Sequence, residues 1–350
     1  MKKIIVVFLA LVLLTTMPVA CLAEGVDSEN EDKAIPKAKV EAMTFLGDSI
    51  ATGYGLEGYD ENSDNAEILS YANLTASYYG LTLGENCFNY AKNGAKSSDL
   101  LLKLTNELSE DERANIAKSD VIVVSIGGND LLGIFYTHMA EFLELGANAS
   151  VEQGIVKLFA MTEDELKDLD KKAENFYKNK KAEIEAVAEQ AGENISYIYD
   201  ELKTISPDAQ IYIQSVYNPA SELPQYTALS IVNEKIFSNM IDALNREIFE
   251  AANEKGMYKI DVFSEFTGRK EDCTNIADFD VHPNAYGHSI IADALQITID
   301  NVYDRLSSGN ADEFNEGEFP WIWFAVSAAV IIVAVPVVIF VVKKSSGAQN

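Results

Sequence analysis

The side chains that hold metals and cross-link folds are scarce in this chain: 350 residues contain three histidines and three cysteines. Cys21 falls in an N-terminal stretch that reads as a removable signal, which leaves Cys87 and Cys273. There is no Cys-x-x-Cys pair and no histidine-rich cluster, so a zinc site is not expected. The two cysteines could form one bridge in an exported chain, or stay as two buried thiols. Positive charge is also short. Between Glu24 and Pro320, all 55 acidic residues face 23 basic ones, a net charge of −32. Such a surface repels nucleic acid and anionic membrane, and no nucleic-acid partner is expected. The Gly-x-Ser-x-Gly pattern of many serine esterases is absent as well.

The longest apolar runs are at the two ends. Lys2 and Lys3 precede the apolar run Ile4–Leu14, and small residues follow at Val19–Ala23. This is the pattern of an export signal, with cleavage expected after Ala23 (segment 1–23). Near the other end, Trp321–Val342 carries no charge. As a helix it would span about 33 Å, enough to cross a bilayer. Trp321 and Trp323 mark one interface, and Lys343 and Lys344 follow the other. The expectation is a single-pass chain anchored through this helix (321–342), with a cytoplasmic tail (343–350) and the main domain outside the cell.

Between the ends, a polar leader (24–39) precedes a domain over 40–306. Apolar runs at 40–47, 86–91, 120–128, 209–219 and 257–263 read as strands. Helical spacing predicts helices at 64–79, 97–108, 225–255 and 284–306. A long, mostly helical insertion fills 131–206, where a lid is one reading. An acidic linker covers 307–320. Alternating strands and helices imply an open, five-stranded parallel sheet wrapped on both faces. In such sheets sites form beyond the carboxyl ends of the strands, so the loops after each strand are the ones to read.

The loop after the first strand holds Asp48 and Ser49, followed by Gly53, Gly55 and Gly58. The second holds Asn93 and Gly94, and the third holds Asn129 and Asp130 within Gly-Gly-Asn-Asp. The last, "DFDVHPNAYGH", spans Asp278–His288. A serine hydroxyl needs a base to act as a nucleophile near neutral pH, and histidine suits the task. Of His138, His282 and His288, only His282 sits in a loop beside carboxylates and is fixed by a proline. His288 is expected on the surface of the last helix, and His138 in a structural or exposed place. Attack on a carbonyl also needs donors for the oxyanion. Asn129 offers a side-chain amide, and Gly94 and Ser49 offer backbone N–H groups. Tyr54, Tyr59 and Phe135 could line an acyl pocket, although aromatics near strand ends also serve as core.

"GDSIATGYG", "NYAKNGAKSSDL", "GGND" and "DVHPNAYGH" occur in that order, and together they resemble the four motif blocks of the SGNH hydrolases, the GDSL esterase/lipase family. The resemblance covers Met43 to about Leu306. It implies a three-layer α/β/α fold of flavodoxin-like type and carboxylic ester hydrolysis without a cofactor. It implies Ser49 as nucleophile, His282 as base, and Ser49 N–H, Gly94 N–H and Asn129 as the oxyanion hole. Asp48 is not the triad acid in the family and more often supports its loop. The commonest family position for the acid, three residues before the histidine, is Phe279 here. Asp280 is therefore the favoured acid and Asp278 the alternative, with a dyad completed by a backbone carbonyl also open. The implied substrates are esters of lipids or of acetylated carbohydrate. A surface binding module that has lost catalysis and an O-acyltransferase using the same serine are the alternatives.

Overall fold

The computed structural model describes residues 35–146, 151–219, 227–278 and 280–308. The expected signal (1–23), membrane helix (321–342), tail and most of the linker lie outside them. Among the described residues, no helix is long and apolar enough to cross a membrane.

Five strands form one parallel sheet: β1 (Met43–Gly47), β2 (Cys87–Asn89), β3 (Val121–Ser125), β4 (Gln210–Gln214) and β5 (Tyr258–Ile260). The order is β2-β1-β3-β4-β5, with Met43 beside Val121 and Gly47 beside Ser125 at the centre. Every residue of β1 and β3 is buried, which explains why both read as unbroken apolar runs rather than alternating ones. The chain reverses its direction of travel across the sheet after β2. That makes the carboxyl ends of β1 and β3 the switch point, where a ligand crevice opens.

Along the described chain the α-helices of six or more residues are α1 (Tyr71–Tyr79), α2 (Ser97–Leu102), α3 (Glu110–Lys118), α4 (Gly128–Phe142), α5 (Val151–Phe159), α6 (Glu163–Ile205), α7 (Thr227–Val232), α8 (Ser238–Lys255) and α9 (Ala285–Ser308). The period-2 pleat sends alternate strand residues into two separate cores. Phe45, Val121, Val123 and Tyr212 meet α1 and α9 on one face. Leu46, Ile122, Val124 and Ile213 meet α4, α6 and α8 on the other. α6, 43 residues long, carries an apolar stripe that includes Ile184, Ala188, Ala191, Ile195 and Ile198.

Three sequence readings change. The helix expected from residue 64 starts at Tyr71, because Ser70 caps it by accepting from the Asn73 N–H, while residues 60–66 close on themselves through Asp60, Ser63 and Asn65. α3 was not expected; it buries only Ile116, so no apolar period announces it, although Ser109 and Glu112 form its capping box. π turns follow α2 at Lys103–Glu107 and join α7 to α8 at Asn233–Phe237. Cys87 and Cys273 are both buried free thiols, and burial pushes the Cys87 thiol up to about 12.

Candidate active site

β1 ends on Gly47, whose φ of 141° suits glycine alone. A Cβ there would lie 1.9 Å from the Ser125 carbonyl oxygen, so glycine lets the ends of β1 and β3 touch. Asp48 follows, and its carboxylate accepts the Ile50 N–H at 3.0 Å, capping a short helical turn, Ser49–Thr52. Ser49 is thereby held at the N-terminal end of that turn. Asp48 itself is 5% exposed, and burial raises its carboxyl to about 7.

The histidine comes from the loop before α9. Thr274 pairs with Pro283, and the Asn275 N–H donates to the His282 carbonyl at 2.9 Å. The Asp280 N–H in turn donates to the Asn275 carbonyl at 3.2 Å. These bonds, from Thr274 and Asn275 to Asp280, His282 and Pro283, present Asp280 and His282 together. From the loop after β4, the Tyr217 hydroxyl donates to the Val281 carbonyl at 2.8 Å and ties the histidine loop to the sheet end. Ser49 Oγ lies 2.9 Å from His282 Nε2, while His282 Nδ1 is hydrogen-bonded to Asp280 Oδ1. Asp280 Oδ1 also accepts the His282 backbone N–H at 3.1 Å. Burial opposes the charge on Asp280, but its hydrogen bonds from His282 hold the carboxyl below its ordinary value. Asp278 is exposed at the end of the turn Ile276–Asp278, away from this pairing.

Asn129 stands in the first turn of α4, and its amide donates to the Ala95 carbonyl at 3.0 Å. This bond ties the loop after β3 to the loop after β2, where Gly94 has φ 72° and open space around it. Among the described residues, neither the Ser49 nor the Gly94 N–H is donated to a turn, loop or cap carbonyl. Asn93 is a structural tie. It accepts from Thr52 Oγ1 at 2.7 Å and donates to the Tyr59 hydroxyl and to Glu61.

The remaining candidates fall elsewhere. His288, expected on the surface, is fully buried against the partner face of α1: its Nδ1 accepts the Tyr71 N–H at 3.1 Å. His138 joins α4 to α6 through Glu183 at 3.0 Å. The Tyr54 ring packs on the His282 ring with centroids 4.7 Å apart. Two residues have roles that the sequence reading does not assign. Asp130 accepts both the N–H and the hydroxyl of Ser97, fixing the start of α2, and its place in Gly-Gly-Asn-Asp was the available signal. Tyr217 had no such signal, since its partner lies 64 residues away.

Ser49, Asn129 and His282 sit on the wall of a cavity of about 320 Å³. Phe135 from α4 lines it, whereas Tyr54 and Tyr59 do not.

The pattern of the GDSL-like Lipase/Acylhydrolase family matches residues 45–290. No curated protein matches the chain in sequence. Among solved structures, the lipase Lip_vut3 from a goat rumen metagenome is 17% identical, covering 73% of this chain and 96% of its own, with a TM-score of 0.46. Phospholipase A1 from Streptomyces albidoflavus NA297 is 18% identical, with 74% and 99% covered and a TM-score of 0.46. Axe2, an acetylxylan esterase from Geobacillus stearothermophilus, is 15% identical, with 74% and 94% covered and a TM-score of 0.44. The family pattern starts inside β1 and ends inside α9, enclosing the serine, asparagine and histidine loops alike, and on that match the chain belongs to the GDSL-like lipase/acylhydrolase family.

Proposed function

We propose that the chain hydrolyses carboxylic esters through an acyl-enzyme on Ser49. One observation carries this reading: Ser49 Oγ and His282 Nε2 lie 2.9 Å apart, with the other ring nitrogen on Asp280. A carboxylate can only accept, so Nδ1 holds the ring proton and Nε2 keeps a lone pair toward the serine. His282 takes the hydroxyl proton as Oγ bonds to the ester carbonyl carbon. The carbonyl π electrons move to oxygen, and the ring becomes an imidazolium that Asp280 stabilises. Ser49 N–H, Gly94 N–H and the second amide hydrogen of Asn129 receive the oxyanion; each such donor lowers the barrier by about 3–4 kcal/mol. The tetrahedral intermediate collapses, the C–O bond to the alcohol breaks, and His282 returns its proton to the leaving oxygen. Water then repeats the sequence on the acyl-serine and releases the acid.

A fluorophosphonate probe tests the reading on the full-length chain. Wild type is expected to label on Ser49, and Ser49→Ala is expected not to. A folded wild type that fails to label would overturn it, and would favour a surface binding module instead.

A further inference from the structure

The cavity beside Ser49 has walls that the esterase reading does not use. Leu132 and Phe135 come from α4, Leu158 from α5, Leu229 from α7, Phe237 from the π turn and Met240 from α8. Among the described residues, Asp48 and His282 at the catalytic end are the Asp, Glu, Lys, Arg or His side chains that line it. A sugar hydroxyl or a phosphate would find few partners along these walls, and each unpaired polar group taken into them would be penalised.

The walls are fixed by polar clamps behind them. Asn245 of α8 both donates to the Val216 carbonyl at 2.8 Å and accepts the Val216 N–H at 2.7 Å. Asn218 donates to Asn233 at 2.8 Å, tying the strand-end loop to the π turn. α5 lies so close to α4 that a Cβ on Gly154 would come within 2.2 Å of the Met139 sulfur. π turns inside α-helices are frequent at functional sites, and this one carries Phe237 into the lining.

We propose that this cavity is the acyl-chain site, that it takes one medium-length fatty acyl chain, and that Leu132 and Phe237 set the length. The proposal rests on Ser49 acting as the nucleophile. The carbonyl then lies among Ser49, His282 and Asn129, and the chain runs between α4 and α8. At about 30 Å³ for each water-sized group, the cavity of about 320 Å³ holds roughly ten such groups, the scale of one medium-length chain. The α4–α5 part of the insertion is therefore one wall of the specificity pocket. The substrate class is a fatty acyl ester, and acetylated carbohydrate is a poor fit.

The test is kcat/KM of the full-length chain for p-nitrophenyl esters of two, four, eight, ten and sixteen carbons, below their aggregation limits, with acetylated xylose alongside. The expected profile rises by up to about fourfold per methylene, the transfer free energy of one CH₂. It peaks at eight to ten carbons, at least tenfold above acetate, and falls at sixteen. Leu132→Trp is expected to move the optimum at least two carbons shorter. Phe237→Ala is expected to move it longer, and because it removes bulk it guards against a misfolded Trp variant. A flat profile or an acetate optimum, with labelling at Ser49 intact, overturns the acyl-chain site and leaves the esterase standing. An optimum that ignores both substitutions overturns the assignment of the wall. Failure to cleave any ester, together with failure to label Ser49, removes both readings.

Discussion

Asp278 and Asp280 are two positions apart and meet different surroundings. Asp280 is tied to the His282 ring and to the His282 backbone N–H, whereas Asp278 is exposed. Asp280→Ala is expected to lower kcat for p-nitrophenyl acetate by about a hundredfold or more, since the imidazole loses both its orientation and its counter-charge. Asp278→Ala should stay within about threefold; the reverse order of effects would move the acid. Gly55 packs against the same pair. Its φ is 87°, and a Cβ would lie 2.9 Å from Asp280 Oδ2 and 3.4 Å from His282 Cβ. Gly58 has a similar φ of 84°, but a Cβ there meets only Ile68 at 3.8 Å. Both Gly→Ala changes should cost about 1–2 kcal/mol of stability through the backbone. Only Gly55→Ala should also lower kcat, by on the order of ten- to a hundredfold, because it displaces the acid. Equal kcat losses in the two variants would mean that strain alone explains them.

At the scale of elements, α6 against α8 forms much of one helical layer, and Gly192 faces α8 at close range. A Cβ at Gly192 would lie 3.0 Å from Glu247 Cβ and 3.2 Å from the Glu247 carbonyl oxygen. Gly192→Leu therefore has to push the helices apart, at a cost of about 1–3 kcal/mol in urea melts. Activity per folded molecule should not change, since neither residue lines the active-site cavity. The same elements show what a sequence makes legible. β1 and β3 were readable because burial on both faces forces an uninterrupted apolar run, and the four loops were readable because each carries an uncommon cluster of small and polar residues. The start of α1 was misplaced because Ile68 continues the apolar spacing across the cap at Ser70. The far wall of the cavity was invisible for a different reason. Leu229, Phe237 and Met240 look like any helical core residues, and only the packing of α4 opposite them turns that core into a cavity. Sequence spacing records which face of a helix is apolar, not whether something fills the space it faces.

For the molecule as a whole, two buried groups pull the stability–pH curve in opposite directions. Burial lowers the His288 imidazole from 6.5 to about 3. The unfolded chain then takes up a proton below about 6.5 that the folded chain refuses, so this contribution is complete above that pH and is lost as pH falls toward 3. Burial raises Asp48 from 3.8 to about 7. Here the folded chain keeps a proton that the unfolded chain releases, so the contribution is complete below about 4 and is lost as pH rises toward 7. At 1.36 kcal/mol per unit, each amounts to about 4–5 kcal/mol at most, and between roughly pH 4 and 6.5 the two slopes largely cancel. Asp48→Asn separates them. The amide oxygen can still accept the Ile50 N–H that caps the serine turn, but the side chain no longer titrates. Relative to wild type, the variant should gain about 3 kcal/mol on going from pH 4.5 to 7, read as the difference between urea melts at the two pH values. The net charge of −28 contributes self-repulsion to both proteins alike. Melts at matched ionic strength therefore isolate Asp48, and a difference that does not change with pH would mean that its carboxylate ionises in the fold as an ordinary one does.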